Sequence, residues 1–254
     1  MWKARSLLSL ERLIDTDSYT LEPEKLYTEI VFPDAPPDRP YLFINMASTA
    51  DGKIVLGDAR GSAAGLGGAT DQLLFRRLQL VCDAAIMGSG TLRSTQVIYP
   101  PEIMRIVVTR SGNVPLDNRF FKDAPEKAYV LVPRNLPEIE LQQLLSETQV
   151  IQTGEAEVDL AEAMQILRQD FGIEHILCEG GATLNENVIR LGLADELFMT
   201  IAPKLKGGTG IPTIVGGIGF PPGFALPLTI ISLYRDGDEV YFRYRLGEKA
   251  LSYK

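Results

Sequence analysis

The stretch of sequence that decides the fold is Glu174-His175-Ile176-Leu177-Cys178-Glu179-Gly180-Gly181-Ala182-Thr183-Leu184. Residues 174–178 form a short run that predicts a buried strand, and two glycines then lead into a predicted helix. Ligands of open α/β sheets bind beyond the carboxyl ends of the strands. We therefore expect Glu179 to project into a crevice, beside free backbone N–H groups at a helix N-terminus. A solvent-facing glutamate that caps the helix is the alternative interpretation.

Outward from this stretch, short apolar runs alternate with helical patterns. The apolar runs predict strands at residues 41–47, 83–87, 104–109, 128–132 and 196–201. The clearest helix is predicted over residues 159–171, with Asp159 as its N-cap and Gly172 directly after it. Such alternation predicts an α/β fold with a mostly parallel sheet that is covered on both faces.

Two local patterns complete this prediction. Residues 228–234 and 239–245 suit a C-terminal antiparallel hairpin across the turn at 236–237, which makes the central sheet mixed. Near the start of the main body, Thr70 or Asp71 is expected to cap a helix, because both side chains accept hydrogen bonds from helix N–H groups.

Residues 1–40 are predicted to be an N-terminal extension with a Pro-rich linker, and residues 41–254 the main domain. A short helix is predicted at the start, from four apolar residues on one helical face: Leu7, Leu10, Leu13 and Ile14. Four prolines then fall within residues 33–40 and forbid both a helix and a central strand.

Composition excludes several classes of function. The 254 residues carry 25 Lys+Arg against 33 Asp+Glu, a formal charge of −8, whereas nucleic-acid binding needs a basic footprint. Two cysteines and one histidine are too few for a closed zinc site, a disulfide framework or a histidine-based triad. No apolar run approaches the roughly 20 residues of a membrane-spanning helix. We expect a cytoplasmic protein that binds a small molecule, without metal, nucleic acid or membrane.

Two further motifs follow predicted strands. In Gly88-Ser89-Gly90-Thr91, a glycine-rich turn lets the backbone approach a phosphate. It is neither a full dinucleotide fingerprint nor a Walker loop, and an ordinary tight turn is the alternative. In residues 45–54, Asp51 and Lys53 are suited to meet an anionic substrate, or else they form a surface hairpin turn.

Taken in this order, the three motifs resemble the pyrimidine reductase domain of riboflavin biosynthesis, a member of the dihydrofolate-reductase-like superfamily. The matching segments are residues 45–54, 83–84, 88–91, 107–110, 179–184, 195–197 and 201–208. The resemblance implies a three-layer fold, a homodimer, and NADPH as the hydride donor. It also implies the substrate 5-amino-6-(5-phosphoribosylamino)uracil, whose ribosyl group is reduced to a ribityl chain.

The resemblance implies that Thr91 and residues 181–187 contact the cofactor, with Ala47 beside it. We expect the two glycine turns to hold its phosphates, so the predicted cofactor-binding residues are Ala47, Gly88, Ser89, Gly90, Thr91, Gly180, Gly181, Ala182, Thr183 and Leu184. Arg110 or Ser111, which follow a predicted strand, are expected to meet the 2′-phosphate.

The residues expected to be catalytic are Asp51, Lys53 and Glu179, and those expected to bind the substrate are Ser48, Arg77 and Glu179. Glu179 matches the carboxylate of the family that contacts the substrate, and Lys53 falls at a position that faces the reacting pair. Reduction also requires a proton, and Glu179, Lys53 and a bound water stay open as its donor.

Departures from the family pattern leave the exact substrate open. Gln79 stands where the family commonly has an arginine that helps to hold the ribose phosphate, and an amide cannot copy that bidentate, charged grip. The signatures of the zinc deaminase domain that precedes many relatives are absent from this sequence. A reductase of the same fold with another substrate, and a non-catalytic nucleotide-binding relative, are the alternatives.

Overall fold

The chain folds around a ten-stranded sheet in a computed structural model that describes residues 10–16 and 23–247. The strands are β1 (Glu11–Asp15), β2 (Tyr41–Thr49), β3 (Ala84–Gly88), β4 (Met104–Val108), β5 (Ala128–Val132), β6 (Gln149–Gln152), β7 (His175–Cys178), β8 (Ala194–Ala202), β9 (Leu228–Asp236) and β10 (Glu239–Leu246). The helices are α1 (Ala69–Gln79), α2 (Ser89–Ser94), α3 (Arg119–Lys122), α4 (Glu138–Glu147), α5 (Leu160–Gln169) and α6 (Ala182–Arg190). The strand order is β1-β9-β10-β8-β2-β7-β3-β4-β5-β6.

The strands from β8 to β6 run parallel, and every strand predicted from an apolar run is confirmed. Leu42, Phe43 and Ile44 are fully buried at successive positions, which shows that helices cover both faces of β2. Leu167 of α5 and Val188 of α6 pack on one face, whereas α1, α2, α3 and α4 pack on the other. The result is a three-layer α/β structure.

The C-terminal hairpin is confirmed. β9 and β10 pair antiparallel with Glu239 opposite Asp236, and Gly237 takes a φ of +59° in the turn between them. β10 also pairs antiparallel with β8, so the hairpin extends the parallel sheet into a mixed one. The long helix is confirmed too, because Asp159 caps α5 with its side chain and Gly172 follows it at a φ of +69°.

The helix predicted near the N-terminus is wrong for the described part. Residues 11–15 form β1, which pairs antiparallel with β9, while Leu7 lies outside the described residues. Leu13 and Ile14 are 46% and 41% exposed, whereas Leu10 is buried in the core, so these residues do not form one buried helical face. A lone short helix is marginal in water, whereas strand pairing satisfies the backbone of both strands at the edge of the sheet.

The cap predicted for α1 is also wrong. Gly68 is the N-cap and offers no side-chain hydrogen bond, so Thr70 and Asp71 lie inside the helix. The hydroxyl of Thr70 instead donates to Asp236 at 2.5 Å, across to the C-terminal hairpin. Tertiary contacts of these side chains therefore replace the local capping role.

The Pro-rich segment contains neither helix nor strand between residues 33 and 40, as the prolines predict. It nevertheless lies against the sheet, because Arg39 donates to Asp195 of β8 at 2.7 Å, and Phe32, directly before the segment, stacks on Phe43 with ring centroids 4.6 Å apart. The boundary between extension and main domain stays a prediction. Within the described ranges, no helix combines the length and apolar character that a membrane crossing requires.

Candidate active site

The two glycine turns lie side by side, because β3 and β7 are neighbours in the sheet. The N–H of Gly88 donates to the carbonyl of Gly180 at 2.7 Å, and the N–H of Glu179 donates to Ile86 at 2.9 Å. Gly180 has a φ of +80°, which a side chain rarely tolerates. A Cβ on Gly181 would lie 3.0 Å from the hydroxyl of Thr91. The close approach of the two turns therefore depends on glycine.

A large cleft of about 770 Å³ opens beyond these turns, at the carboxyl ends of β3, β4 and β6. The predicted cofactor residues that line it are Gly88, Ser89, Gly90, Arg110, Thr183 and Leu184. The first turn of α6 has backbone N–H groups without intrahelical partners, which suit phosphate oxygens. Cleft size, glycine turns and helix N-terminus together fit a dinucleotide.

The charged groups of the large cleft are mixed in sign. Arg110 forms an exposed ion pair with Glu157 at 3.0 Å, and Asp159 and Arg190 also line the cleft. Ser111 is exposed and lies outside the cleft lining. Of the two residues predicted to meet a 2′-phosphate, only Arg110 is in the cleft.

A smaller pocket of about 200 Å³, which we call the Glu179 pocket, lies on the other side of the same turns. Thr91 and Gly181 line it together with Ala47 of β2 and the carboxyl of Glu179. Gly180 and Ala182 lie within the turn but line neither hollow. The structure thus brings the three sequence motifs together, with Ala47 in the Glu179 pocket rather than in the large cleft.

Glu179 is held by two buried hydrogen-bond donors. The hydroxyl of Tyr99 donates to its Oε2 at 2.7 Å, and the amide of Gln79 donates to its Oε1 at 3.4 Å. Burial raises the pKa of Glu179 to about 7, although both hydrogen bonds favour the ionised form and act against the rise. A carboxyl with this pKa gives up or takes a proton near neutral pH.

Two residues of this site were missed from the sequence. Tyr99 is buried, and its segment matches no motif that signals a site. Asp71 lines the Glu179 pocket, and burial raises its pKa to about 6 against a hydrogen bond from Thr200. An acidic residue in the first turn of a helix is too common to mark Asp71 from sequence.

The other predicted substrate residues line neither hollow. Asp51 accepts hydrogen bonds from the backbone of Lys206 and Gly207 and from Thr49, and these hold its pKa down to about 2. Lys53 donates from Nζ to the carbonyl of Ile211 at 3.3 Å. Both therefore hold the loop that follows β8.

Arg77 and Ser48 also lie outside the lining of the Glu179 pocket. Arg77 donates to the carbonyl of Leu26 at 2.7 Å and ties α1 to the N-terminal extension. Ser48 is fully buried in β2, and its hydroxyl has no hydrogen-bond partner among the described residues. Neither side chain reaches the lining of the pocket.

Solved structures share this architecture. A pyrimidine reductase-like protein from Corynebacterium diphtheriae superposes with a TM-score of 0.71 at 21% identity, covering 84% of this chain and 94% of that one. RibD from Acinetobacter baumannii gives a TM-score of 0.67 at 21% identity, covering 83% of this chain and 59% of that one. The fold is the dihydrofolate-reductase-like fold of these proteins.

The family follows from the sequence match. Residues 40–242 match the family model of the RibD C-terminal domain, and the chain belongs to that family. It is 31% identical to the 2,5-diamino-6-ribosylamino-4(3H)-pyrimidinone 5′-phosphate reductase of Methanothermobacter thermautotrophicus, covering 81% of this chain and 98% of the relative. The enzyme of the same name from Archaeoglobus fulgidus is 29% identical, covering 72% of this chain and 89% of the relative. The resemblance drawn from the three motifs is confirmed.

Proposed function

We propose that this chain is an NADPH-dependent oxidoreductase of riboflavin biosynthesis, which reduces the ribosyl group of a 5-amino-6-(5-phosphoribosylamino)pyrimidine to a ribityl chain. The observation that carries the proposal is a buried carboxyl, Glu179, next to two glycine turns that line a cleft large enough for a dinucleotide. The names of the relatives support the substrate class. The sequence predicts the uracil form of this substrate, and these relatives are named for its 2-amino counterpart.

The reaction adds a hydride and a proton across a double bond. In its open-chain form the ribosylamine has a C=N bond between the sugar carbon and the amine nitrogen. The hydride goes to the carbon and the proton to the nitrogen, which leaves a C–N single bond and an oxidised nicotinamide. Bound NADPH supplies the hydride, and the protein supplies orientation and the proton.

The chain's own residues divide these tasks. Backbone N–H groups of the turns at residues 88–91 and 181–184 hold the phosphates of the cofactor. Arg110 meets the 2′-phosphate and favours NADPH over NADH, since a guanidinium binds phosphate in a bidentate manner. The hydrogen bonds from Tyr99 and Gln79 hold the carboxyl of Glu179 in one orientation in its pocket.

Glu179 is the proton donor of this proposal. Its pKa of about 7 keeps a substantial fraction protonated at neutral pH, in contrast to a solvated glutamate. Lys53 is not the donor, because its Nζ is bound to the loop carbonyl of Ile211 outside the pocket. The homodimer, which the family resemblance implies, and the cytoplasmic location stay predictions.

The variant Glu179→Gln tests the proposal, with Glu147→Gln as a matched control on the exposed end of α4. We expect turnover to fall by about 100-fold or more in Glu179→Gln, the usual contribution of a general acid, while NADPH still binds. The measurements are oxidation of NADPH with the aminopyrimidine substrate and a fluorescence titration with NADPH. Unchanged turnover would remove Glu179 from the reaction, and a wild-type protein that binds no NADPH would refute the whole proposal.

A further inference from the structure

The Glu179 pocket contains a second carboxyl that the proposed reaction does not use. Asp71 lines it from the first turn of α1, whereas Glu179 lines it from the end of β7. A Cβ on Gly67 would collide with the carboxyl of Asp71, so glycine at this position leaves room for that carboxyl. Thr200 of β8 donates a hydrogen bond to it.

The pocket is acidic. Among the described residues, its lining contains Asp71 and Glu179 but no lysine, arginine or histidine. The positive charge of Lys204 lowers the pKa of Asp71, but its Nζ donates to the carbonyls of Gly65 and Leu66, each at 2.7 Å. This lining suits a ligand that offers hydrogen-bond donors.

Asp71 is mainly ionised at neutral pH. Burial raises its pKa to about 6, and the neighbouring Glu239 of β10 adds to the rise, while Thr200 and Lys204 lower it. Both oxygens of Glu179 already accept hydrogen bonds, from Tyr99 and Gln79. Asp71 accepts a side-chain hydrogen bond from one donor, Thr200, so it is the carboxylate of this pocket with more remaining capacity to accept hydrogen bonds from a ligand.

We propose that Asp71 determines specificity for the pyrimidine ring by accepting two hydrogen bonds, one from the ring N3–H and one from the exocyclic 2-amino group. The inference rests on the proposed function and deepens it. A 2-amino-4-oxopyrimidine has N3–H and the 2-amino group side by side, which matches the two oxygens of one carboxylate. A uracil has a carbonyl at position 2, and this oxygen would face a carboxylate oxygen without a proton between them. The chain then prefers the 2-aminopyrimidinone substrate to the uracil.

The test compares kcat/KM for the 2-aminopyrimidinone and uracil forms of the ribosylamino phosphate, in the wild type, in Asp71→Asn and in Asp117→Asn. Asp117 is a carboxylate outside both hollows and serves as the matched control. We expect the wild type and the control to prefer the 2-amino form by about tenfold or more, the usual size of a charge-assisted hydrogen bond. In Asp71→Asn the preference should disappear or reverse, because the amide N–H donates to the uracil carbonyl.

The outcomes separate the inference from the function on which it rests. A wild type that reduces both substrates equally, or the uracil form better, overturns the role of Asp71 and leaves the reductase activity standing. An Asp71→Asn variant that loses the same factor on both substrates also overturns it. A wild type that reduces neither form while it binds NADPH refutes the proposed function and this inference with it. If Asp71→Asn does not fold, the test is the ratio of the two kcat/KM values of the wild type, and a ratio of one or less for the 2-amino form over the uracil form overturns the inference.

Discussion

The hydroxyl of Tyr99 donates a 2.7 Å hydrogen bond to Oε2 of Glu179, and both side chains are buried. Behind this pair, the buried guanidinium of Arg105 lies 5.5 Å from the centroid of the Tyr99 ring. Burial pushes the pKa of Glu179 up, and the hydroxyl of Tyr99 limits that rise. In the proposed reaction, Tyr99 is thus a positioning residue, because it would act through Glu179.

The variant Tyr99→Phe is predicted to raise the pKa of Glu179 further, since it removes a donor to the ionised form. A hydrogen bond to a charged group is worth about 1.5–3 kcal/mol, which corresponds to one to two pKa units. If the protonated form is active, kcat falls as pH rises through the pKa, and this decline should move to higher pH. The pH profile of kcat measures it, with Tyr129→Phe on β5 as the control. A profile that does not move, or moves to lower pH, would contradict the role of Tyr99.

Folding stability is predicted to decrease as pH rises through the titration of Glu179. The folded protein holds this proton up to about pH 7, whereas a glutamate in the unfolded chain loses it near pH 4.5. Between these two pH values the folded state therefore binds more protons than the unfolded state. The stabilisation is fully present below about pH 4.5, the pKa of this glutamate in the unfolded chain, and is lost as pH rises to about 7, its pKa in the folded protein. The loss is on the order of 3 kcal/mol, and Asp71, with a pKa raised to about 6, adds to it with the same sign.

Urea denaturation across this pH range measures the free energy of unfolding. The variant Glu179→Gln has no titrating group at this position, so its free energy of unfolding should vary less with pH than that of the wild type. The control Glu147→Gln should keep the wild-type slope, because Glu147 is exposed. Equal slopes in the wild type and Glu179→Gln would show that Glu179 is not the group that titrates.

The variant Gly181→Ala is predicted to weaken cofactor binding. Its Cβ would lie 3.0 Å from the hydroxyl of Thr91 and would separate the two turns that are proposed to hold the phosphates. We expect the Kd for NADPH to rise by about tenfold, a loss of about 1.4 kcal/mol. Gly210→Ala is the control, since a Cβ there meets no atom within 4 Å. Fluorescence titration with NADPH measures the Kd of both variants. Equal Kd values for Gly181→Ala and Gly210→Ala would argue against phosphate binding at this turn.

The variant Arg110→Ala is predicted to reduce the preference for NADPH over NADH. The guanidinium lies in the large cleft, and losing one charge-assisted contact to a 2′-phosphate costs about 1.5–3 kcal/mol. The KM for NADPH should therefore rise by about tenfold or more, while that for NADH should hardly change. Arg119→Ala, on the exposed surface of α3, is the control. A similar change in both KM values would point to a general effect on the cleft.

The architecture could be predicted because its signals are local. The parallel strands other than β6 are largely buried and read as apolar runs, and each glycine turn follows such a run directly. The edge strand β6 buries only Ile151 of its four residues, so no apolar run predicts it. The N-terminal strand β1 could not be predicted this way. It forms by pairing with β9, more than 200 residues further along the chain, and nothing in its own pattern favours a strand.

In the candidate site, too, only the features with local sequence signals could be predicted. Glu179 and the turns at 88–91 and 181–184 were identified from sequence, since strand ends and glycines have a defined geometry relative to a sheet. The directions in which long side chains point could not be predicted from sequence. Asp51 and Lys53 bind the loop after β8, and Arg77 binds the N-terminal extension, so all three are drawn away from the pocket.

The order of residues along the chain is thus enough to specify most of the parallel sheet, the family and the backbone of the glycine turns, because these depend on short-range patterns of burial and on glycine. The protonation and partners of the acidic groups depend on the folded protein. Tyr99 and Gln79 reach Glu179 from 80 and 100 residues away, and burial by residues from several elements raises its pKa. Desolvation and hydrogen bonding are set by what surrounds a group in space, and folding alone brings those surroundings together.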